Sequence, residues 1–345
     1  MRAGMKIWFN RWFTTVSHYI TMIKNNPDNR SFTVYGTHPD KDALYLQVCD
    51  FKGTEPDISG EEYILFCLDF CARNEIDIFI PRKENVLISR NLPRFEAIGV
   101  KVLVCPDPML MSFMDNKAAI YRSIEEKNSA GKQLVSIPDY EVVNTAAGFK
   151  EAYHKLRAAG HKVCFKPVIG EGAYGFRVVK DREDSIAELF GQGVGHRISF
   201  ANACGILSQQ ESFPDLMVLE YLDGPEYSID CLADGGKLYT SIPRKKGHGR
   251  VRELEENLLL SGIAENLHRE YPVPYVFNVQ VKYGQGVPKL LEINPRMSGG
   301  LHISCLSGIN FPYLAIKLLL NEKIDPAPPN FGIRASYLEK EVILS

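Results

Sequence analysis

Three stretches of this chain place side chains able to handle phosphate and metal at spacings that a strand or a flap would bring together. The first is Leu290-Leu291-Glu292-Ile293-Asn294-Pro295-Arg296. On a strand, residues two apart share a face, so Glu292 and Asn294 project together while Leu291 and Ile293 pack on the other side. A carboxylate beside an amide oxygen is a pair of hard donors suited to Mg²⁺. Upstream, Asn278, Gln280 and Lys282 alternate with Val279 and Val281, and the turn Gly284-Gln285-Gly286 would pair this run with the later one. An ordinary half-exposed hairpin with its polar side to water fits the same pattern. Pro295 and Arg296 leave the strand and set a guanidinium beside the proposed metal, where it would neutralise a transferring phosphoryl group.

The second stretch, Lys166-Pro167-Val168-Ile169-Gly170-Glu171-Gly172-Ala173-Tyr174-Gly175-Phe176, contains a G-x-G-x-x-G at 170, 172 and 175. A dinucleotide fingerprint needs a helix opening directly after the glycines, but Phe176-Arg177-Val178-Val179 reads as a strand. Strand, glycine loop and return strand describe a hairpin flap whose backbone N–H groups can close on phosphates, and a glycine-rich turn without ligand is the alternative. The chain has no H-R-D, D-F-G or Walker A pattern. Lys166 enters the flap from the apolar run Val163-Cys164-Phe165, which makes it a phosphate ligand or a solvated edge residue. The third stretch runs from Val218 to Asp230: an apolar strand, a turn at Asp223-Gly224-Pro225, and a second strand from Glu226. Backbone groups at such a crossing would read an adenine edge and Glu226 a ribose; by itself it is a hairpin.

These pieces need a scaffold to hold them. The chain has 345 residues, net charge −2, 45% hydrophobic and 24% charged residues, enough to bury a core without a disulfide or metal staple. Lys+Arg of 40 against Asp+Glu of 42 disfavours general polyanion binding, so neither nucleic acid nor an anionic membrane is expected as partner. The eight cysteines include no C-x-x-C pair, and Cys67 and Cys71 read as two packed thiols on one helix face, as in a reducing, cytoplasmic compartment. The stretch Met5–Val16, interrupted by Asn10 and Arg11, reads as neither signal peptide nor membrane span.

Before about residue 108 the pattern alternates. Strands are expected at Lys6–Phe9, Phe32–Tyr35, Ile76–Ile80 and Val100–Cys105, and helices at Thr14–Lys24, Tyr63–Phe70 and Val86–Ile98, which argues a parallel sheet with helices on both faces. Helices follow at Pro108–Glu126 and Phe149–Ala159, the latter stopped by Gly160. The later region reads as α+β built on antiparallel hairpins: strands at Lys162–Lys166, Phe176–Val179, Met217–Tyr221, Tyr227–Leu232, Leu238–Ile242, Val276–Lys282, Leu290–Ile293 and Ile333–Leu338, and helices at Glu183–Phe190, Glu253–Arg269 and Asn310–Leu320.

Taken in order, these segments resemble the ATP-grasp superfamily, in the branch similar to the synthetase domains of carbamoyl-phosphate synthase and to biotin carboxylase. The resemblance implies a pre-grasp α/β domain over about 1–108 and a grasp body over 109–345. The body would comprise a small nucleotide-covering subdomain at about 140–221 and a metal and substrate subdomain at about 222–345. Lys117 sits where a lysine or arginine contacting ATP is expected, Lys166 and the glycines 170, 172 and 175 match its nucleotide-covering subdomain, Glu220, Tyr221 and Leu222 its adenine hinge, and Glu226 its ribose position. Gln280, Glu292 and Asn294 match its metal and phosphate positions, with Arg296 following. The pattern departs at Asp115-Asn116-Lys117, which has one residue inside the usual acid–lysine pair. In the basic loop Pro243–Arg252, where relatives place an arginine facing an acylphosphate, Arg244 is the first choice and Arg250 the second. The run Ser298-Gly299-Gly300-Leu301-His302 would receive the acceptor, with His302 as a base or a structural residue.

The implied activity is an ATP- and Mg-dependent, ADP-forming ligase (Mn²⁺ as an alternative ion). It joins a small-molecule or peptide carboxylate to an amine or thiol through an acylphosphate, in a chain compatible with a homodimer. A phosphotransferase of the same fold and a nucleotide-binding regulatory protein are the alternatives.

Overall fold

The computed structural model describes residues 4–170, 172, 174–183, 185–186, 196–339 and 341–344. The chain divides into two compact units, one of Met1–Ser112, Tyr227–Val279 and Ile293–Ser345, the other of Phe113–Glu226 and Gln280–Glu292.

In the first unit, strands β1 (Met5–Asn10), β2 (Phe32–His38), β3 (Phe51–Thr54), β4 (Ile78–Pro81) and β5 (Lys101–Val102) form a parallel sheet in the order β3-β2-β1-β4-β5. The apolar run of β1 explains why both faces are covered. Ile7 and Phe9 join one core with Val16, Tyr19 and Ile20 of the helix Val16–Lys24, and Trp8 joins another with Tyr63, Ile64 and Cys67 of the helix Gly60–Asn74. Successive strand residues face opposite ways, so a continuous run needs a helix on each side. Trp8 lies stacked against Phe70 and Phe79, each with ring centroids 4.3 Å away, and such pairs contribute about 0.5–1.5 kcal/mol beyond their area. Cys67 and Cys71 are buried free thiols in this second core, their pKa values pushed up by burial.

The second unit is built on β6 (Tyr140–Val143), β7 (Val163–Pro167), β8 (Arg177–Lys180), β9 (Arg197–Ser199) and β10 (Leu216–Glu220), in the order β6-β10-β7-β8-β9. Its pairs are antiparallel except β8 with β9, which is parallel, so this sheet is mixed rather than wholly antiparallel. Val163 and Phe165 of β7 face the core formed with Phe149, Tyr153 and Leu156 of the helix Ala146–Ala158. By the same alternation Cys164 and Lys166 face the opposite side.

The third sheet joins β11 (Glu226–Asp234), β12 (Lys237–Lys246), β13 (Arg252–Leu254), β14 (Tyr275–Gly284), β15 (Val287–Asn294) and β16 (Ile333–Ala335) in the order β15-β14-β11-β12-β13-β16. Glu226 and the hairpin end Gln280–Glu292 count with the second unit and the rest with the first.

Several elements differ from the pattern read in the sequence, each for a local reason. The run 86–98 holds two helices, Asn85–Arg90 and Leu92–Ala97, because Pro93 supplies no N–H and suits only a first turn. The run 108–126 is also two, Pro108–Asp115 and Lys117–Ser129, since Asn116 caps the second by accepting from the Ala119 N–H at 2.9 Å. Arg252–Leu254 is a strand rather than the start of a helix; the helix begins at Leu258 after the Asn257 cap. Strands β3 and β9 carry too few apolar residues to announce themselves, the four-residue β6 (Tyr140–Val143) is a further strand beyond those expected, and the helix expected at Glu183–Phe190 lies mostly outside the described residues. Among the described residues no helix is long and apolar enough to cross a membrane.

Candidate active site

In the second unit two lysines and a carboxylate converge. Because Asn116 takes the cap, Lys117 becomes the first residue of its helix and is almost fully buried. Its Nζ donates to the Gly170 carbonyl at 2.6 Å and stands 3.6 Å from the Glu292 carboxylate. Lys166 donates from Nζ to the Leu291 carbonyl at 3.1 Å. Burial pushes its pKa down to about 8, with the Glu292 carboxylate opposing and the Lys117 ammonium adding to the depression. Tyr121, one helical turn beyond Lys117, closes the group: its hydroxyl donates to the Leu290 carbonyl at 2.6 Å, and its ring centroid is 5.9 Å from Lys166 Nζ. The flap glycines 170, 172 and 175 have φ of 153°, 66° and 73°, backbone that side-chain-bearing residues rarely adopt; Glu171 and Ala173 lie outside the described residues. The arrangement offers two ammonium groups and exposed loop backbone to a polyphosphate.

The end of β10 is held in a polar frame. The Glu220 carboxylate is buried, accepting from Lys289 Nζ at 2.6 Å and from the Asp139 N–H at 3.2 Å. The Glu220 N–H donates to the Asp139 carbonyl at 2.9 Å and the Tyr221 N–H to the Lys162 carbonyl at 2.7 Å. Both N–H groups are thus spent within the unit, and Lys282 Nζ lies 5.0 Å from the Tyr221 ring centroid. Leu222 follows, buried, and Glu226 stands half-buried at the start of β11. Gln280 is half-buried on β14.

The first unit holds the remaining candidates. Asp230 is wholly buried, and its carboxylate accepts from Asn278 Nδ2 at 2.8 Å, Ser298 Oγ at 2.7 Å, Ser304 Oγ at 2.6 Å and Arg244 Nη2 at 3.1 Å. Arg250, the second choice, is exposed, paired with Glu339 at 2.9 Å and set 5.9 Å from the Tyr337 ring centroid. Arg296 lines a small cavity of about 30 Å³ with Trp12, Asn85, Cys105 and Met297. His302 is stacked on His18 at 4.5 Å. Burial, then the His18 and Arg244 charges, push its pKa down to about 4, which leaves it neutral and a weak base near pH 7.

Lys117, Lys166, Gly170 and Glu292 thus meet in one unit, while Asn294, Arg296 and Arg244 belong to the other. Sequence reasoning passed over Tyr121, although its i,i+4 spacing from Lys117 places both on one helix face. It also passed over Asp230, Ser304 and Lys289, whose partners are distant in the chain and leave no local signal, and it took Ser298 only as part of the acceptor run.

Comparison with known proteins agrees with this architecture. Residues 212–341 match the family described as ATP-grasp in the biosynthetic pathway with Ter operon. Human carnosine synthase 1 is 24% identical over 182 residues, 46% of this chain, and the match spans 20% of that protein's length. The L-amino acid ligase of Bacillus licheniformis superposes with a TM-score of 0.62 at 14% identity, over 93% of this chain and 75% of that one. The biotin carboxylase domain of 2-oxoglutarate carboxylase from Hydrogenobacter thermophilus, solved as a dimer with MgADP, ADP and bicarbonate, superposes with a TM-score of 0.64 at 12% identity, over 97% and 74%. The chain has the ATP-grasp fold, and the resemblance read from its motifs holds.

Proposed function

We propose that this protein is an ATP- and Mg²⁺-dependent ligase that phosphorylates a small carboxylate from ATP and passes the acylphosphate to an amine or thiol, releasing ADP and phosphate. The reading is carried by the convergence of Lys117 and Lys166 with Glu292 and the flap, since phosphoryl transfer asks for charge neutralisation and alignment rather than a protein nucleophile. It is supported by the ligases among the similar folds and by the sequence likeness to a carnosine synthase.

In this reading Lys117, Lys166 and the glycines 170, 172 and 175 hold the phosphates. Tyr221 and Leu222, held by the Glu220 frame, face the adenine, and Glu226 takes the ribose. Gln280, Glu292 and Asn294 offer one carboxylate and two amide oxygens, a donor set that fits a hard cation already neutralised in part by polyphosphate. When bound, Mg²⁺ would supply charge compensation at the phosphates; Mn²⁺ fits the same donors. Arg296 is assigned to the transferring phosphoryl group, Arg244 to the anionic acyl group, and the neutral His302 to packing rather than proton abstraction. The eight cysteines, all free thiols and none needed for the chemistry, support a reducing, cytoplasmic setting. A homodimer remains part of the proposal, readable by sedimentation.

The test is ADP release by the purified chain with Mg-ATP against a panel of amino acids, dipeptides and small carboxylic acids, with hydroxylamine present in parallel. Hydroxamate formation is the expected result. ADP release with a phosphorylated product and no hydroxamate would make the protein a phosphotransferase, and ATP binding without any ADP release would make it regulatory.

A further inference from the structure

A guanidinium carries five N–H donors, one on Nε and two on each Nη, and a buried one held only for stability tends to have all of them paired. Arg244, 4% exposed, departs from this in one place. Nε is directed at Ser304 Oγ (3.2 Å) and Asp230 Oδ2 (3.4 Å), and Nη2 at Asp230 Oδ2 (3.1 Å) and Ser298 Oγ (3.3 Å). Nη1 meets no acceptor among the described residues and is not fully enclosed.

The surroundings keep the other edge from turning. Ser298 and Ser304 each donate their hydroxyl proton to Asp230 and accept from Arg244, which fixes both rotors, and Asn278 fills a further site on the carboxylate. Gly300 lies against the guanidinium: a Cβ there would fall 2.5 Å from Nη1, 2.6 Å from Cζ and 2.7 Å from Nη2, so that either the guanidinium would leave its place or the loop would shift. The loop is tied down beside the guanidinium, the Tyr19 hydroxyl donating to the Ser298 carbonyl and the Thr15 hydroxyl to the Gly299 carbonyl.

We propose that Asp230, Ser298, Ser304 and Gly300 are positioning residues that lock the Nε–Nη2 edge of Arg244 and present Nη1 as its one working nitrogen to the anionic acyl group of the substrate. The identity of that anion rests on the ligase reading above; the locked geometry does not. A locked donor aimed at developing charge loses no reorganisation energy on use, whereas a buried ion pair kept for stability alone could be exchanged for apolar packing at little cost.

The experiment uses the full chain loaded with MgADP and acetyl phosphate as the probe, its affinity read by ³¹P line broadening, with ATP affinity and thermal midpoint measured beside it. Arg244→Met, Gly300→Ala and Ser298→Ala should each weaken acetyl phosphate about tenfold or more, the loss of one charge-assisted hydrogen bond, and leave ATP affinity within about twofold. Asp230→Asn should do the same, and Arg244→Lys, which lacks the fork, should not restore binding. A merely structural network would lower the thermal midpoint in these variants without separating the two affinities. The proposal is overturned if the wild-type chain binds acetyl phosphate no better than Arg244→Met, or if folded Ser298→Ala and Gly300→Ala keep wild-type affinity for it. The ligase reading fails separately: an Arg244-dependent acetyl phosphate site in a chain that releases no ADP across the panel would retain the positioning device and discard the ligase.

Discussion

In the second unit the cations Lys117 and Lys166 stand against carbonyl oxygens and a single half-buried carboxylate, whereas in the first unit Arg244 stands against a wholly buried Asp230 and two serine hydroxyls. The difference is one of commitment. A lysine pressed into low dielectric gives up part of its affinity for its proton, so Lys166 comes down to about 8 and is best satisfied by an arriving polyanion. An arginine keeps its charge at any accessible pH, and its planar fork can be clamped on one edge while the other is offered. One region is therefore arranged to receive charge and the other to aim it.

The largest effect that would sharpen this contrast is at Glu292. Glu292→Ala should lower Mg²⁺-dependent ATP turnover by at least about a hundredfold, with an unfolding midpoint close to wild type because the carboxylate is only half-buried; an unchanged rate in an ADP-release assay removes the metal assignment. Asp230→Ala should add a large loss of stability to its loss of function. It strands a buried guanidinium and should cost about 3–5 kcal/mol, read by chemical denaturation; a loss below about 1 kcal/mol would show that the network relaxes freely.

A moderate effect is expected from pH. The protonated form of Lys166 is the one that attracts phosphate, so ATP affinity should be flat below about pH 7 and fall by up to about tenfold per pH unit above pH 8. Lys166→Arg should flatten that limb and Lys166→Ala should mainly raise the KM for ATP; identical profiles for wild type and Lys166→Arg would take the titration away from this residue. The smallest effect should come from Arg250→Ala, whose exposed pair with Glu339 is worth under about 1 kcal/mol. Turnover near wild type is expected there, and a large loss would exchange the roles given to Arg244 and Arg250.

Much of the architecture was legible in the chain. The run at Ile7, Trp8 and Phe9, apolar on both faces, announces a covered parallel strand, and the glycines 170, 172 and 175 announce a flap rather than a helix entry. The legibility failed where a single polar residue decides a boundary. Asn116 splits one expected helix by capping the next, and this is what brings Lys117 to the Gly170 carbonyl; the additional residue that looked like a departure in the sequence is the cap itself.

Local composition and alternation determined the classes of element and the order of the chemistry-bearing residues, because periodicity, glycine backbone freedom and hard-oxygen donor types are properties of short stretches. They also determined that Glu292 and Asn294 share a strand two residues apart. Which charges meet was decided only by the fold. Asp230 draws partners from positions 244, 278, 298 and 304, and Lys117 draws its own from 170 and 292. The physical reason is that a buried charge costs too much to leave unpaired, while the residues able to pair it are brought near by strand order and a loop pressed against a guanidinium, neither of which leaves a mark in the neighbouring sequence.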